Sequence, residues 1–193
     1  MKDTAIKAVI FDCFGVLVQG SLRGYYDRHF GDDEVRRVAA GDLEQLSSRG
    51  QISHKQWLEQ LAELAGISVD QADREIDDNP PNLQLFDYIE TTLKPQYRIG
   101  FLSNTSEDWR NDLFTQEQLA LFDDFVLSYQ FGMAKPDQRI YELAAKRLGV
   151  STEECVFVDD IERYCTGAKD AGMQAVQYHN FAQFQRDLLA VTG

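Results

Sequence analysis

Carboxylates and one lysine lie at separate points of this chain, in the residue types that phosphoryl transfer requires. Asp12 follows the apolar run AVIF, Asp159-Asp160 follow the apolar run CVFV, and Lys135 precedes a proline. Two carboxylates can hold Mg²⁺, and a lysine neutralises charge on the equatorial oxygens of a phosphoryl group. A further carboxylate can attack phosphorus and form an acyl phosphate. The residue types therefore indicate metal-assisted phosphoryl transfer.

The tripeptide Ser103-Asn104-Thr105 follows another apolar run and adds a small hydroxyl group beside backbone N–H groups, which together can hold phosphate oxygens. These groups share a site only if their strands end at one edge of one sheet. Strand-like runs at 8–11, 97–102, 125–128, 155–158 and 174–178 alternate with helical patterns. We therefore predict a three-layer, doubly wound parallel α/β sheet, in which ligands bind at the carboxyl edge of the strands.

Residues 18–82 interrupt this alternation with charged, helical patterns and no convincing strand. Residues 34–46 predict one or two helices, Ser53 is a candidate N-cap for a helix that Gly66 ends, and 69–77 predict one more. Asn79-Pro80-Pro81 stops the helical pattern. We therefore expect an α/β core of residues 1–17 and 83–193, with a small all-helical cap, 18–82, inserted after the first strand.

The second half of the chain predicts further helices that flank the sheet. An amphipathic helix spans 85–93, a second spans 108–122, and Pro136 opens a third. Ser151 and Glu154 have the spacing of a capping box, which we expect to shape the turn into the strand at 155. A last helix is expected from about Asn180.

Composition excludes several classes of protein. A net charge of −13 argues against binding nucleic acid by charge and disfavours an anionic membrane surface. No run approaches the roughly 18 apolar residues of a membrane helix. The N-terminus carries Asp3 and lacks a long apolar stretch, so no signal peptide is predicted. Cys13, Cys155 and Cys165 are odd in number and lack C-x-x-C spacing, which favours a reduced, cytoplasmic protein.

Four motifs in order resemble the haloacid dehalogenase superfamily. They are FDCFGVL (11–17), LSNTS (102–106), the lysine of GMAKPD (132–137), and FVDD (157–160) followed by GAKDAGM (167–173). Within that superfamily the chain is similar to α-glucose-1-phosphate phosphatase-like enzymes and to the N-terminal phosphatase domain of soluble epoxide hydrolases. The resemblance covers essentially the whole chain, with 18–82 corresponding to the family's helical cap.

The resemblance implies a Mg²⁺ site and a nucleophile at the first strand. Asp12 would be both nucleophile and metal ligand, Asp160 the second metal carboxylate, and the main-chain carbonyl of Phe14 a third ligand. Asp159 would help to position these metal ligands without binding the metal itself. The alternative to a metal site is that Asp159 and Asp160 only cap a helix.

The resemblance also implies the phosphate contacts. Ser103 and the backbone around Asn104 would bind the transferring phosphoryl group, and Lys135 would contact both that group and Asp12. In the cap, Arg23 and Arg49 are candidate substrate contacts. The nearby Arg28 and His29 could share in gripping an anion. Trp57, at helical spacing with leucines, more often belongs to the core of such a cap than to a substrate platform.

Three positions depart from the family pattern. Phe14 stands where most phosphatases of the superfamily have an aspartate that protonates the leaving group, a loss that typically costs about 10²–10⁴-fold in rate. Tyr164, four residues after Asp160, replaces the usual Asn or Asp that helps to organise the metal site or Lys135. Val16 replaces a common threonine.

Three functions compete at this point. The first is a Mg²⁺-dependent hydrolase of small phosphomonoesters, sugar phosphates among them, slowed by Phe14. The second is a non-catalytic protein that binds a ligand or a partner. The third is a 2-haloacid dehalogenase, which Asp159 and Asp160 disfavour because they would repel a carboxylate substrate. We expect a small phosphorylated metabolite as partner, without nucleic acid or membrane, and either a monomer or a homodimer.

Overall fold

Five strands form one parallel sheet in the computed structural model, which describes residues 5–193. The strands are β1 (Ala8–Phe11), β2 (Arg98–Ser103), β3 (Asp124–Leu127), β4 (Cys155–Asp159) and β5 (Gln174–Gln177). The α-helices of the described chain are α1 (Leu22–Phe30), α2 (Glu34–Ser48), α3 (His54–Ala65), α4 (Val69–Ile76), α5 (Leu83–Tyr88), α6 (Arg110–Leu113), α7 (Gln116–Leu119), α8 (Gln138–Leu148), α9 (Glu162–Asp170) and α10 (Phe181–Thr192).

Burial on both faces explains why β1 is apolar along its whole length. Val9 and Phe11 pack with residues of α5 and α10 on one face of the sheet. Ala8 and Ile10 pack with residues of α8 and α9 on the other face. The predicted three-layer parallel α/β architecture is confirmed.

The strand order is β3-β2-β1-β4-β5, so β1 and β4 are neighbours at the centre of the sheet. From β1 the chain moves outward to β2 and β3, and then returns to β4 on the other side of β1. This reversal is the switch point at which open parallel sheets bind ligands. Asp12 follows β1 and Asp160 follows β4, so both lie at that point.

Helices α1 to α4, here called the helical segment (residues 22–76), have an apolar cluster of their own. Tyr25, Trp57 and Leu61 are among its buried members. Ser53 caps α3 through a complete capping box, and Gly66 ends it in a left-handed conformation, as predicted. Residues 34–48 form one helix rather than two. The division of the chain into a core and a cap remains a prediction.

The two connections to the helical segment pair with one another. Val18 forms an antiparallel bridge with Pro81, and the Asn82 N–H donates to the Leu17 carbonyl at 2.8 Å. The Gln19 N–H donates to the Pro80 carbonyl at 3.1 Å. We call residues 17–19 with 80–82 the stalk.

Three helix predictions differ from the structure. The helix expected over 108–122 is two short helices, because Phe114 is extended and Thr115 begins α7 with its own capping box. The helix expected from Pro136 begins at Gln138, since Asp137 is its N-cap and accepts from the Arg139 N–H. The helix at 85–93 ends at Tyr88 and continues as one π-helical stretch, Ile89–Leu93.

Other expectations concern the ends and the thiols of the chain. Residues 5–193 contain no helix long and apolar enough to cross a membrane. Asp3 lies outside the described residues, so the absence of a signal peptide stays a prediction. Cys13, Cys155 and Cys165 are buried free thiols. The capping box at Ser151 forms and shapes a 3₁₀ turn, Thr152–Glu154, leading into β4.

Candidate active site

Lys135 is the central cation of the site and is completely buried. Its Nζ lies 2.7 Å from Asp12 Oδ1 and 2.6 Å from Asp159 Oδ2. The same ammonium lies 4.9 Å from the ring centroid of Tyr164 and 5.2 Å from that of Phe157. Two carboxylates and two aromatic faces therefore hold the lysine at the edge between β1 and β4.

The charges of these groups depend on one another. Burial alone would lower the pKa of Lys135, but the carboxylates of Asp12 and Asp159 raise it, so the ammonium stays charged. Burial, followed by the Asp159 carboxylate, raises the pKa of Asp12 well above its ordinary value, and Lys135 opposes this shift. A divalent cation beside Asp12 would lower its pKa again and keep the carboxylate ionised.

Three carboxylates at the switch point have the donor set for Mg²⁺. Oxygens of Asp12, Asp159 and Asp160 lie within 4.8 Å of one another. Oδ1 of Asp160 is buried and has no hydrogen-bond partner among the described residues. A set made only of oxygen atoms is what Mg²⁺ prefers. The residues present therefore fit this ion.

Gly15 gives the Asp160 carboxylate its room. The glycine has φ +89°, and a Cβ built there would lie 2.6 Å from Asp160 Cγ. Any side chain at this position would push the carboxylate aside.

We expect Gly15→Ala to lose Mg²⁺ binding for this reason. The left-handed backbone by itself costs an alanine about 1–2 kcal/mol. Gly149→Ala is the matched control, because Gly149 has φ +72° and no atom lies within 4 Å of the point that a Cβ would occupy. Thermal unfolding should show both variants destabilised, whereas the rise in melting temperature on adding Mg²⁺ should disappear in Gly15→Ala alone. A normal Mg²⁺ response in Gly15→Ala would contradict the argument.

Asn104 fixes the loop that carries the lysine. Its side-chain Nδ2 donates to the Lys135 carbonyl at 3.1 Å, and its Oδ1 accepts from the Lys135 N–H at 2.8 Å. The peptide bond that follows Lys135 is cis. Ser103, the residue before Asn104, is buried, and the Ser103 Oγ lies 3.5 Å from the Asn104 carbonyl. The Asn104 side chain is thus committed to the lysine loop, which leaves Ser103 and backbone groups as candidates for phosphate.

Tyr164, which stands in place of the family's usual Asn or Asp, contacts Lys135 through its ring and Asn104 through its hydroxyl. Its hydroxyl accepts from Arg163 Nη2 at 2.9 Å and from Asn104 Nδ2 at 3.4 Å. Burial raises the pKa of this hydroxyl, so it stays protonated. The tyrosine therefore contacts Asn104 through its hydroxyl and Lys135 through the face of its ring. At Val16, where the threonine is missing, the main-chain carbonyl accepts from Asn82 Nδ2 at 3.0 Å.

The arginines expected to grip substrate are not gathered at the site. Arg23 is exposed on α1, Arg49 is half-buried after α2, and neither lines the cavity described below. Arg28 and His29 both contact Glu75, at 3.1 and 2.7 Å. Burial and the Asp159 charge raise the pKa of Asp160, while Lys135 and Arg23 lower it, so the Arg23 charge acts on the site from α1. Substrate contact by Arg23 and Arg49 stays a prediction.

A cavity of about 390 Å³ separates the switch point from the helical segment. Its floor includes Asp12, Phe14, Asn104, Lys135 and Tyr164. Its roof, defined here as the cavity-lining residues of α2 and α3, consists of Glu44, Ser47, Ser48, His54, Trp57 and Leu58. His54 also contacts the floor side, with Nδ1 3.2 Å from Ser106 Oγ.

Glu44, Ser47 and His54 were not predicted from the sequence. Glu44 and Ser47 are three residues apart on α2, a spacing that places them on one helix face. This spacing can be read from the sequence, but no sequence motif indicates which face of α2 lines a cavity. Burial raises the pKa of Glu44, while Arg163 lowers it.

Comparison with known proteins now identifies the family. A profile described as haloacid dehalogenase-like hydrolase matches residues 6–172. The chain belongs to this family. A phosphatase of Mycobacterium tuberculosis, "Phosphatase MT3486", is 30% identical and aligns with 89% of this chain and 86% of its own length. The D-ribitol-5-phosphate phosphatase of Bacteroides thetaiotaomicron is 26% identical over 96% of this chain and 98% of its own.

Two further similarities place this haloacid dehalogenase-like chain among its relatives. The bifunctional epoxide hydrolase 2 of Sus scrofa is 26% identical over 98% of this chain, which spans 39% of that protein. A haloacid dehalogenase family enzyme of Bacteroides thetaiotaomicron, solved as a magnesium complex, superposes with a TM-score of 0.69 at 22% identity. That superposition covers 94% of this chain and 99% of the other, and it shows the shared fold.

Proposed function

We propose that this chain is a Mg²⁺-dependent hydrolase of small phosphomonoesters that works through an aspartyl-phosphate on Asp12. The observation that carries the proposal is the meeting of Asp12, Lys135 and Asp160 at the switch point, which joins a nucleophile, a cation and a metal carboxylate. The phosphatase names of the Mycobacterium and Bacteroides relatives support the same reaction.

In the first step an Asp12 oxygen attacks phosphorus, the bond to the ester oxygen breaks, and the leaving group departs with that oxygen. Lys135 neutralises charge on the phosphoryl group, while Ser103 and backbone N–H groups bind its oxygens. Asp12, Asp160 and the Phe14 carbonyl would hold Mg²⁺, which would supply Lewis-acid charge to the phosphoryl group. Water then attacks phosphorus, which releases inorganic phosphate and restores the Asp12 carboxylate.

The decisive experiment is release of p-nitrophenol from p-nitrophenyl phosphate with Mg²⁺ and with EDTA. This ester has a good leaving group and needs little help from an acid, so Phe14 should not prevent its reaction. Metal-dependent release is expected. Folded protein that releases nothing in the presence of Mg²⁺ would overturn the proposal and favour a non-catalytic, ligand-binding member of the family.

Phe14 should limit the rate with ordinary alkyl phosphates, which need a proton on the departing oxygen. The side chain lines the cavity and packs partly into the apolar cluster beneath the sheet. Phe14→Asp is expected to raise the turnover of alkyl phosphates, by up to about 10²-fold. Phe14→Asn is the control, since it opens the same space without an acid. Equal rates in the two variants would contradict a missing acid–base group.

The remaining proposals concern the setting of the reaction. A small phosphorylated metabolite is the proposed substrate, and neither nucleic acid nor a membrane surface is proposed as a partner. Three buried thiols are in line with a reducing, cytoplasmic compartment.

A further inference from the structure

The hydroxyl group of Ser128 joins three parts of the protein that are far apart in the sequence. Ser128 is completely buried and begins the turn Ser128–Gln130 that follows β3. Its Oγ accepts from the Thr105 N–H at 2.9 Å and lies 3.1 Å from the Thr105 carbonyl oxygen. It donates to the carbonyl of Ser48, the last residue of α2, at 2.5 Å. One side chain therefore connects the end of β3, the chain after β2 and the helical segment.

The single proton of this hydroxyl group makes these contacts depend on one another. Carbonyl groups in the last turn of a helix have no partner within the helix, and Ser48 is itself buried. Among residues 5–193, Ser128 is the one hydrogen-bond partner of the Ser48 carbonyl. A hydroxyl group has one proton to donate, and the shorter distance assigns it to Ser48 rather than to the Thr105 carbonyl. The bonding of the chain after β2 therefore depends on the position of α2.

Thr105 lies in the segment that carries the proposed phosphoryl contacts, residues 103–107, here called the β2 loop. Asn104 ties this loop to the Lys135 main chain through two hydrogen bonds. Ser128 ties it to the end of β3 and to α2 through Thr105. Groups that bind a transferring phosphoryl group are effective only when they are held in place beforehand. The two ties therefore govern how well the β2 loop binds phosphate.

The chain between α2 and α3 lies against the same region. Gly50 has φ +68°, and a Cβ built there would lie 3.0 Å from the carbonyl oxygen of Tyr129, in the turn after β3. Farther along, His54 Nδ1 lies 3.2 Å from Ser106 Oγ in the β2 loop. Residues 48–54 of the helical segment therefore meet the β2 loop and the turn after β3 directly. These contacts are additional to those of the stalk.

We propose that Ser128 is a positioning residue for phosphoryl binding, through a hydroxyl group that fixes the β2 loop against the end of α2. The inference rests on the proposed phosphatase function and adds a residue to the machinery of that site. Neither Ser128 nor Gly50 lines the cavity, so each acts on phosphate through the β2 loop rather than by touching a ligand. Linkage makes this effect mutual, so bound phosphate should also stabilise the end of α2.

Ser128→Ala tests the proposal with inorganic phosphate as an inhibitor of p-nitrophenyl phosphate hydrolysis. We expect the inhibition constant for phosphate and KM to rise about three- to tenfold, the equivalent of about one hydrogen bond. The change in kcat should be smaller, because the β2 loop contacts the phosphoryl group both before and during its transfer. Unchanged values of the inhibition constant and KM in folded protein would overturn the proposal.

Ser151→Ala is the matched control for lost stability. Ser151 forms the capping box before β4, at the opposite end of the parallel sheet, and loss of such a cap is destabilising. The same serine-to-alanine change should lower the melting temperature there without altering the inhibition constant for phosphate. An equal rise of that constant in both variants would show that lost stability alone is responsible, and the positioning role would be wrong.

Gly50→Ala tests the dependence on the helical segment while the β2 loop and Ser128 keep their sequence. The added methyl group should displace the end of α2 from the Tyr129 carbonyl, weaken the Ser128 contact with Ser48 and raise the inhibition constant by at least about twofold. Gly66→Ala is the control, since Gly66 has φ +71° in the same segment and no atom lies within 4 Å of its Cβ position. A raised constant in Ser128→Ala but not in Gly50→Ala would overturn the dependence on α2.

Amide hydrogen exchange separates this proposal from the phosphatase proposal, because it does not require hydrolysis. Inorganic phosphate with Mg²⁺ should slow exchange at residues 48–52 of the wild type, and Ser128→Ala should lose this protection. If p-nitrophenyl phosphate is hydrolysed and Ser128→Ala has no effect on phosphate inhibition, the positioning role alone is overturned. If nothing is hydrolysed, the phosphatase is overturned and the exchange experiment decides. Protection at 48–52 that Ser128→Ala abolishes supports the positioning role, and absence of protection in the wild type overturns it.

Discussion

Asp12→Asn is expected to lower p-nitrophenyl phosphate hydrolysis on the order of 10⁴-fold or more, as removal of a nucleophile does in other covalent enzymes. The amide has the shape of the carboxylate but cannot attack phosphorus, so no aspartyl-phosphate forms. Its oxygen can still accept a hydrogen bond from Lys135 Nζ, which lies 2.7 Å from Asp12 Oδ1. We therefore expect the fold to survive, which circular dichroism and thermal unfolding would check.

Asp159→Asn is the matched control for that result. Asp159 contacts the same lysine, at 2.6 Å, but in the proposed reaction it does not touch phosphorus. This variant should keep measurable hydrolysis while losing a comparable ion pair. Should Asp12→Asn retain the wild-type rate, covalent catalysis by Asp12 would have to be abandoned.

Lys135→Met is expected to abolish hydrolysis and to lower the free energy of unfolding by about 3–5 kcal/mol, more than any other substitution considered for this protein. The substitution leaves the buried carboxylates of Asp12 and Asp159 facing one another without their shared cation. Urea unfolding without metal would measure the loss. Mg²⁺ supplies positive charge at the same carboxylates, so it should raise the melting temperature of Lys135→Met more than that of the wild type.

Lys94→Met provides the comparison for a partly exposed pair. Lys94 Nζ lies 2.8 Å from Asp123 Oδ1, with about a third of each side chain exposed. Such pairs contribute roughly 0–1 kcal/mol. If Lys135→Met were no more destabilising than Lys94→Met, the carboxylates around Lys135 would not depend on it for their burial.

The carboxylates and the lysine at the switch point could be predicted from the sequence because each follows a strand or belongs to a motif of fixed spacing. Apolar strands identified the sheet, and the rule that carboxyl ends of parallel strands share one edge predicted that Asp12 and Asp160 would lie close together, as they do. The helix break at Phe114 was also within reach, because Thr115 and Gln118 have the spacing of a capping box.

The roof could not be predicted in the same way. Glu44 and Ser47 lie in a charged helix whose period shows which residues share a face, but not what that face meets. Trp57 has the spacing of a core residue, and it does pack in the apolar cluster of the helical segment. Whether its N–H finds a hydrogen-bond partner among residues 5–193 depends on how the helices pack, which is a tertiary property.

The stalk has a consequence for how this protein can change over evolutionary time. Because residues 17–19 pair with 80–82, the chain enters and leaves the helical segment at nearly the same place. The entropic penalty of closing such a loop grows only by about 0.6 kcal/mol for each doubling of its length. Helices between the two sides of the stalk can therefore lengthen, shorten or be exchanged with little effect on strands β1 to β5. Natural selection can thus alter what enters the cavity while Asp12, Lys135 and Asp160 at the switch point are inherited unchanged.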